Sequence, residues 1–155
     1  MQNTASALID LSALRHNLEV VRRLCPDSRI MAMVKADAYG HGIVPAARAL
    51  SAADGFAVAR LKEALELREA GFRHRLLLLG TLLDDAELGL CSAAEIDVTA
   101  HDAGSLTAIA ATAALVFGAA GAIEVFCRFE SCPLTADSPF AFSISAALRF
   151  LPLPP

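Results

Sequence analysis

The sequence predicts an α/β fold with parallel strands, and three observations carry that expectation. Short apolar runs alternate with amphipathic stretches from Ala7 to about Ala114, the order that βαβ units and a parallel sheet produce. One of those runs, "IMAMV" at Ile30–Val34, is apolar at every position, as in a strand covered on both faces. Helix start and stop signals fall between the runs.

Taken in order, "ALIDL" (Ala7–Leu11) reads as a first strand, and Ser12 as the cap of the helix that follows. Leu14, Leu18, Val21 and Leu24 recur at helical spacing, with Arg15, Glu19 and Arg22 on the wet side, until Pro26 stops the helix. Arg29 to Lys35 forms the second strand. Gly40 and Gly42 mark a loop, and Pro45 suits the first turn of a helix running to about Ala53. "GFAVA" is the third strand, and "RLKEALELREAG" an amphipathic helix with Gly71 just past its end. "LLLLG" and "EIDVT" are further strands, separated by a helix from Asp84 to about Cys91. Asp102 suits the cap of a helix from Ala103 to about Ala114, and "AIEVFCRFES" reads as one more strand. The alternation fits part of a (β/α) barrel or an open doubly wound sheet equally.

Composition limits the function classes. The net charge of −4 gives no basic footprint for nucleic acid. Hydrophobic residues make up 55% and charged residues 19%, a balance that collapses into a core. The four cysteines (Cys25, Cys91, Cys127, Cys132) and four histidines (His16, His41, His74, His101) show no metal-ligand spacing, and reduced thiols in a cytoplasmic protein are expected. "MQNTASALID" has neither the basic start nor the apolar stretch of a signal peptide. Ala103–Ile123 is uncharged and long enough to cross a bilayer, but its alanine and glycine content provides little apolar area, so no membrane span is expected. After Ser105 there is no lysine, five of the seven prolines lie from Pro133 onward, and an irregular tail is expected there.

The chemistry concentrates in "MAMVKADAYGHGI" (Met31–Ile43). Ligands of parallel α/β folds sit beyond the carboxyl ends of the strands, where Lys35 would lie. A lysine held there against apolar neighbours loses solvation, which favours the neutral amine. Such an amine can condense with an aldehyde and, once displaced, move protons. Gly40, Gly42 and the following helix start would let a phosphate approach backbone N–H groups, and Tyr39 offers a hydroxyl to a phosphate oxygen. His41 reads as a loop residue beside the site, and Glu63, Glu66 and Glu69 as the solvated face of their helix.

"VKADAYGHG" resembles the pyridoxal-phosphate attachment motif of bacterial alanine racemases. "IDLSALRHNLEVVRRLCP", "ADGFAVARLKEALELREAGF" and "LLLLG" agree with the same family in order and spacing, so the resemblance covers Ala5 to about Leu106; Asp37 stands where many relatives have asparagine. The resemblance implies a (β/α) TIM-type barrel that binds pyridoxal 5'-phosphate, Lys35 as the Schiff-base and catalytic residue, and Tyr39 as a phosphate contact. It also implies an isomerase that interconverts L- and D-alanine for cell-wall synthesis, working in the cytoplasm as a homodimer. In that family the second acid/base is a tyrosine of a C-terminal β domain, and the only tyrosine here is Tyr39.

A whole barrel takes about 250 residues, so the expectation is an incomplete one: residues 1–130 as a partial barrel domain, 131–155 as an irregular Pro-rich tail, and the family's β domain absent. The function expected is that of a truncated alanine racemase with reduced or no activity. The alternatives are a non-racemising pyridoxal-phosphate-binding protein and an inactive gene remnant.

Overall fold

The computed structural model describes residues 7–80, 83–117, 122–126 and 146–151. In chain order they form α1 (Leu11–Leu24), β1 (Met31–Met33), α2 (Lys35–Gly40), α3 (Ile43–Ala49), β2 (Gly55–Val58), α4 (Leu61–Glu69), β3 (Arg75–Leu78), α5 (Asp85–Ala93), β4 (Ile96–Ala100), α6 (Ala103–Phe117), β5 (Ala122–Phe126) and β6 (Ala146–Leu151). They share one sheet in the order β1-β2-β3-β4-β6-β5. The first four strands are parallel neighbours in chain order, while β6 pairs antiparallel with both β4 and β5.

The register separates two faces. Side chains alternate along a strand, so Phe56 and Val58, Leu76 and Leu78, Ile96 and Val98 fall on one face. Those six are buried and join Ala46, Ala47, Ala64, Leu67, Leu88 and Cys91 of the helices in a single core. Phe56, with no exposed surface, meets Phe72 edge-on at 5.7 Å. The opposite face carries Met31, Met33, Ala57, Leu77, Asp97 and Thr99, and none of these belongs to that core. Arg75 and Asp97 form an ion pair on this second face. Sequential parallel strands with the helix core on one face are the arrangement of a (β/α)-barrel segment; a doubly wound sheet reverses strand order and takes helices on both faces. The fold is α/β, of the barrel type.

Several elements depart from expectation. Ala7–Asp10 is not a strand but extended chain leading into α1. Asp10, not Ser12, caps that helix: its Oδ1 accepts from the N–H groups of Ser12 at 2.8 Å and Ala13 at 3.3 Å, and the Ser12 hydroxyl also donates to it. The "IMAMV" strand is not covered on both faces. Among the described strands it stands at one end of the sheet, and Met31 and Met33 remain 38% and 41% exposed. The helix containing Pro45 begins at Ile43 and stops at Ala49. Gly71, at φ +88, ends α4 as anticipated, and Asp102 caps α6 by accepting from Ser105 N–H at 2.7 Å. Within the stretch expected to be an irregular tail, Ala146–Leu151 form β6; the rest of it, the boundary at residue 130, Cys127 and Cys132 lie outside the described residues. Among the described residues no helix is long and apolar enough to cross a membrane.

Cys91, buried in the core, has its thiol pushed up to about 11 by burial, with Glu87 adding to the shift. A thiol so placed stays protonated and acts as a small apolar group.

Two polar stitches hold layers together. Arg68 of α4 donates to the carbonyls of Ala94 (2.8 Å), Phe72 (3.0 Å), His74 (2.8 Å) and Glu95 (2.9 Å), tying α4 to the entrances of β3 and β4. Arg68→Met retains the aliphatic stem but strips four carbonyls of a charged donor. A loss of about 2–4 kcal/mol in unfolding free energy is expected by denaturant titration. Asp54 accepts from Ile30 N–H at 2.8 Å and from Arg22 at 3.1 Å, joining α1 to the start of the sheet.

These carboxylates also set the acid response. Asp54 is held below the ordinary carboxylate value of 3.8, first by the Ile30 N–H. Asp10 is lowered first by the Ser12 hydroxyl, and Asp102 first by the Ser105 N–H. A depressed native value means that the unfolded chain takes up protons first. Their contribution is therefore complete above 3.8 and lost as pH falls through the lower native values. Thermal midpoints recorded against pH should hold level near neutrality and decline as the solution is acidified below 3.8.

Candidate active site

β1 ends at Met33, and the Val34 N–H donates to the Ala57 carbonyl at 2.9 Å, fixing the strand end against β2. Lys35 follows directly, at the carboxyl rim, where sequence reasoning puts it. Its side chain is half-buried rather than enclosed, and it makes no hydrogen bond or ion pair among the described residues.

The chain then does something the sequence does not announce. Ala36, Asp37, Ala38 and Tyr39 have φ of 53, 54, 52 and 57°, so four successive non-glycine residues of α2 form a left-handed turn. Each such residue costs roughly 1–2 kcal/mol relative to the right-handed form, and strain of this kind persists only where surrounding contacts enforce it. The contacts are specific. Asp37 Oδ1 accepts from Ile43 N–H at 2.6 Å, and the Asp37 carbonyl accepts from Gly42 N–H at 3.0 Å. Ala38 N–H donates to the Val34 carbonyl at 2.9 Å, and the Ala38 methyl is buried. His41 Nδ1 lies 2.8 Å from the Ala38 carbonyl, which makes His41 a brace of the turn.

Glu63 supplies the remaining brace. Its Oε1 accepts from Ala36 N–H at 2.6 Å; its Oε2 accepts from Ala59 and Arg60 N–H, each at 3.0 Å. The expectation of a solvated acidic face holds for exposed Glu66 and Glu69 but not for half-buried Glu63. The signal available in the sequence is its third position in a helix that follows a strand directly, where a glutamate side chain turns back to the cap N–H.

Tyr39 is 60% exposed, and its hydroxyl makes no hydrogen bond among the described residues. At the start of α3 the N–H groups of Gly42 and Ile43 are both taken by Asp37. Further along the rim, a β-carbon on Gly80 would lie 2.6 Å from the Ala59 carbonyl, so β2 and β3 end in close contact. Thr99 Oγ1 donates to the Leu78 carbonyl at 3.3 Å and lies 3.0 Å from His101 Nε2. A water-sized cavity there is lined by Gly80, Leu88, Thr99 and Ile109 among others. The β3–β4 part of the rim is thus packed and hydrogen-bonded, and the uncommitted polar side chains of "VKADAYG", Lys35 and Tyr39, stand at the β1 end.

A lysine on the carboxyl rim of a one-sidedly covered parallel sheet, carried into a braced and strained turn, defines the rim site of a (β/α)-barrel protein. The family described as "Alanine racemase, N-terminal domain" matches residues 9–123, and the chain belongs to that family. It is 53% identical over 100 residues to the alanine racemase of Nitrosococcus oceani, covering 64% of this chain and 28% of that protein. With the alanine racemase of Yersinia pestis it shares 47% over 107 residues, 69% of this chain and 30% of that protein. The crystal structure of biosynthetic alanine racemase from Pseudomonas aeruginosa superposes with a TM-score of 0.63 at 40% identity, covering 67% of this chain and 29% of that one. Alanine racemase from Streptomyces coelicolor A3(2) gives 0.64 at 34% identity, covering 69% and 29%. The chain therefore spans 28–30% of the length of these curated relatives.

Proposed function

We propose that this chain is the cofactor-attachment portion of an alanine racemase, with Lys35 as the residue that bonds pyridoxal 5'-phosphate. The observation that carries the reading is the combination at Lys35: an amine at the carboxyl rim, half-buried, spent on no structural contact among the described residues, and carried into a turn the protein strains to hold. The residues fit the group: a free amine meets an aldehyde, and the exposed hydroxyl of Tyr39 meets a phosphate oxygen.

In this reading Lys35 would hold the cofactor, its amine being the group that can condense with an aldehyde. Lys35 Nζ would move the α-proton of bound alanine on one face, the face that handles D-alanine. The bound cofactor supplies an electron sink for the pair left when that proton departs. Tyr39 orients the phosphate and so fixes the ring against Lys35. Racemisation also requires an acid/base on the opposite face, and Tyr39, the only tyrosine, already has a task. The chain alone is accordingly expected to bind the cofactor and to racemise slowly or not at all. A cytoplasmic location, a homodimeric assembly and a supply of D-alanine to the cell wall belong to the same reading.

Mixing the purified chain with pyridoxal phosphate tests it. A visible absorption band that decays on borohydride treatment is expected, and its absence would overturn the assignment. A second reading is a protein that holds the cofactor without racemising. It prevails if the band forms and a coupled assay detects no D-alanine.

A further inference from the structure

We propose that Glu63 is the positioning residue for Lys35: its carboxylate clamps the backbone bearing the lysine to the end of the neighbouring strand. The proposal rests on Lys35 being the attachment residue. One oxygen accepts from the amide immediately after Lys35, that of Ala36, at 2.6 Å; the other accepts from the two amides that follow β2, those of Ala59 and Arg60, at 3.0 Å each. A carboxylate with two oxygens is the side chain suited to three donors on two segments, because it has only acceptors to offer. The position needs such a clamp. β1 is a three-residue strand at one end of the described sheet, and the turn after Lys35 holds four non-glycine residues in the left-handed region. Val34 fixes the strand side of Lys35, Glu63 the turn side, so the Cα of Lys35 is pinned from both directions.

Fixing the Cα limits where the amine can reach, and attachment requires the nitrogen to meet the aldehyde carbon along a narrow approach. Glu63 touches neither cofactor nor substrate in this account; it acts through Lys35. Glu63→Gln leaves one acceptor oxygen and turns an amide N–H₂ toward a donor, so the three bonds cannot all survive.

The test uses the full chain. Hydrogen exchange, read without cofactor, should accelerate at least tenfold in Glu63→Gln at the Ala36 amide or at those of Ala59 and Arg60, whichever segment loses its acceptor oxygen. The rate of borohydride-trappable attachment of pyridoxal phosphate to Lys35 should fall at least tenfold, with the far-ultraviolet circular dichroism unchanged. Glu66→Gln and Glu69→Gln, exposed on the same helix, should match the wild type in both. Arg68→Met, which weakens the fold elsewhere, should keep the wild-type attachment rate at a temperature where it remains folded, separating position from stability. Should Glu63→Gln not fold, Glu63→Asp retains the charge and the bond to Arg60 N–H but is one methylene too short for Ala36, and the same slowing is expected. Wild-type attachment in a folded Glu63 variant, or exchange unchanged at all three amides, overturns the proposal alone. No attachment in the wild type overturns the function assigned to Lys35 and this proposal together.

Discussion

Lys35→Ala should remove most of the absorption band that the chain develops with pyridoxal phosphate while leaving its circular dichroism and thermal midpoint near those of the wild type. The separation of the two readouts follows from the geometry. The Lys35 side chain contributes no hydrogen bond or ion pair to the described fold and is only half-buried, so truncation removes little apolar burial and strands no partner. Surface changes of this kind stay within about 0.5 kcal/mol. The functional effect, by contrast, is large, because Lys35 is the amine carried by the braced turn, whereas Lys62 is exposed on the first turn of α4. A residual band of full amplitude in Lys35→Ala would place the attachment elsewhere.

Phe56→Ala is the change expected to damage the fold most. Phe56 lies on β2 with no exposed surface, packed edge-on against Phe72 and against His74 at 4.9 Å. Its removal leaves a cavity in the layer between sheet and helices, and such truncations cost about 3–5 kcal/mol. Against a total stability of about 5–15 kcal/mol for an ordinary domain, this consumes a large share. For a chain of this size the thermal midpoint should drop by roughly 10 °C. The smaller substitution Phe56→Leu refills part of the volume and should recover a substantial fraction. Equal midpoints for Phe56→Ala and the wild type would mean that this layer is not the core.

Much of this architecture is legible in the sequence because it is local. The leucine spacing of α1, the glycine that ends α4 and the aspartate that caps α6 each express a preference carried by a few neighbouring residues. The lysine is legible because a strand end is a place and an amine is a chemistry. What the sequence does not disclose depends on partners far along the chain. Nothing in "ADAY" signals a left-handed turn, since alanine and tyrosine avoid that conformation; it forms because Asp37, Gly42, Ile43 and Glu63 jointly compel it. The reach of Glu63 to Ala36 spans 27 positions, and no helical periodicity encodes it. "IMAMV" has the composition of a central strand yet stands at one end of the described sheet, because apolarity reports a need for cover without naming what provides it. Ala7–Leu11 has strand composition but no partner among the described strands, and backbone groups form a ladder only with a neighbour.

The two lysines of the chain, Lys35 and Lys62, permit one decisive measurement. Both are reachable by pyridoxal phosphate in solution, but only Lys35 sits at the end of a strand beside a braced turn, whereas Lys62 is exposed on the first turn of α4. Borohydride reduction of the native complex followed by peptide mass spectrometry should recover the pyridoxyl group on the peptide containing Lys35 at one equivalent, with little on Lys62. Equal labelling of the two lysines, or recovery on Lys62 alone, would contradict the assignment of this rim as a cofactor site.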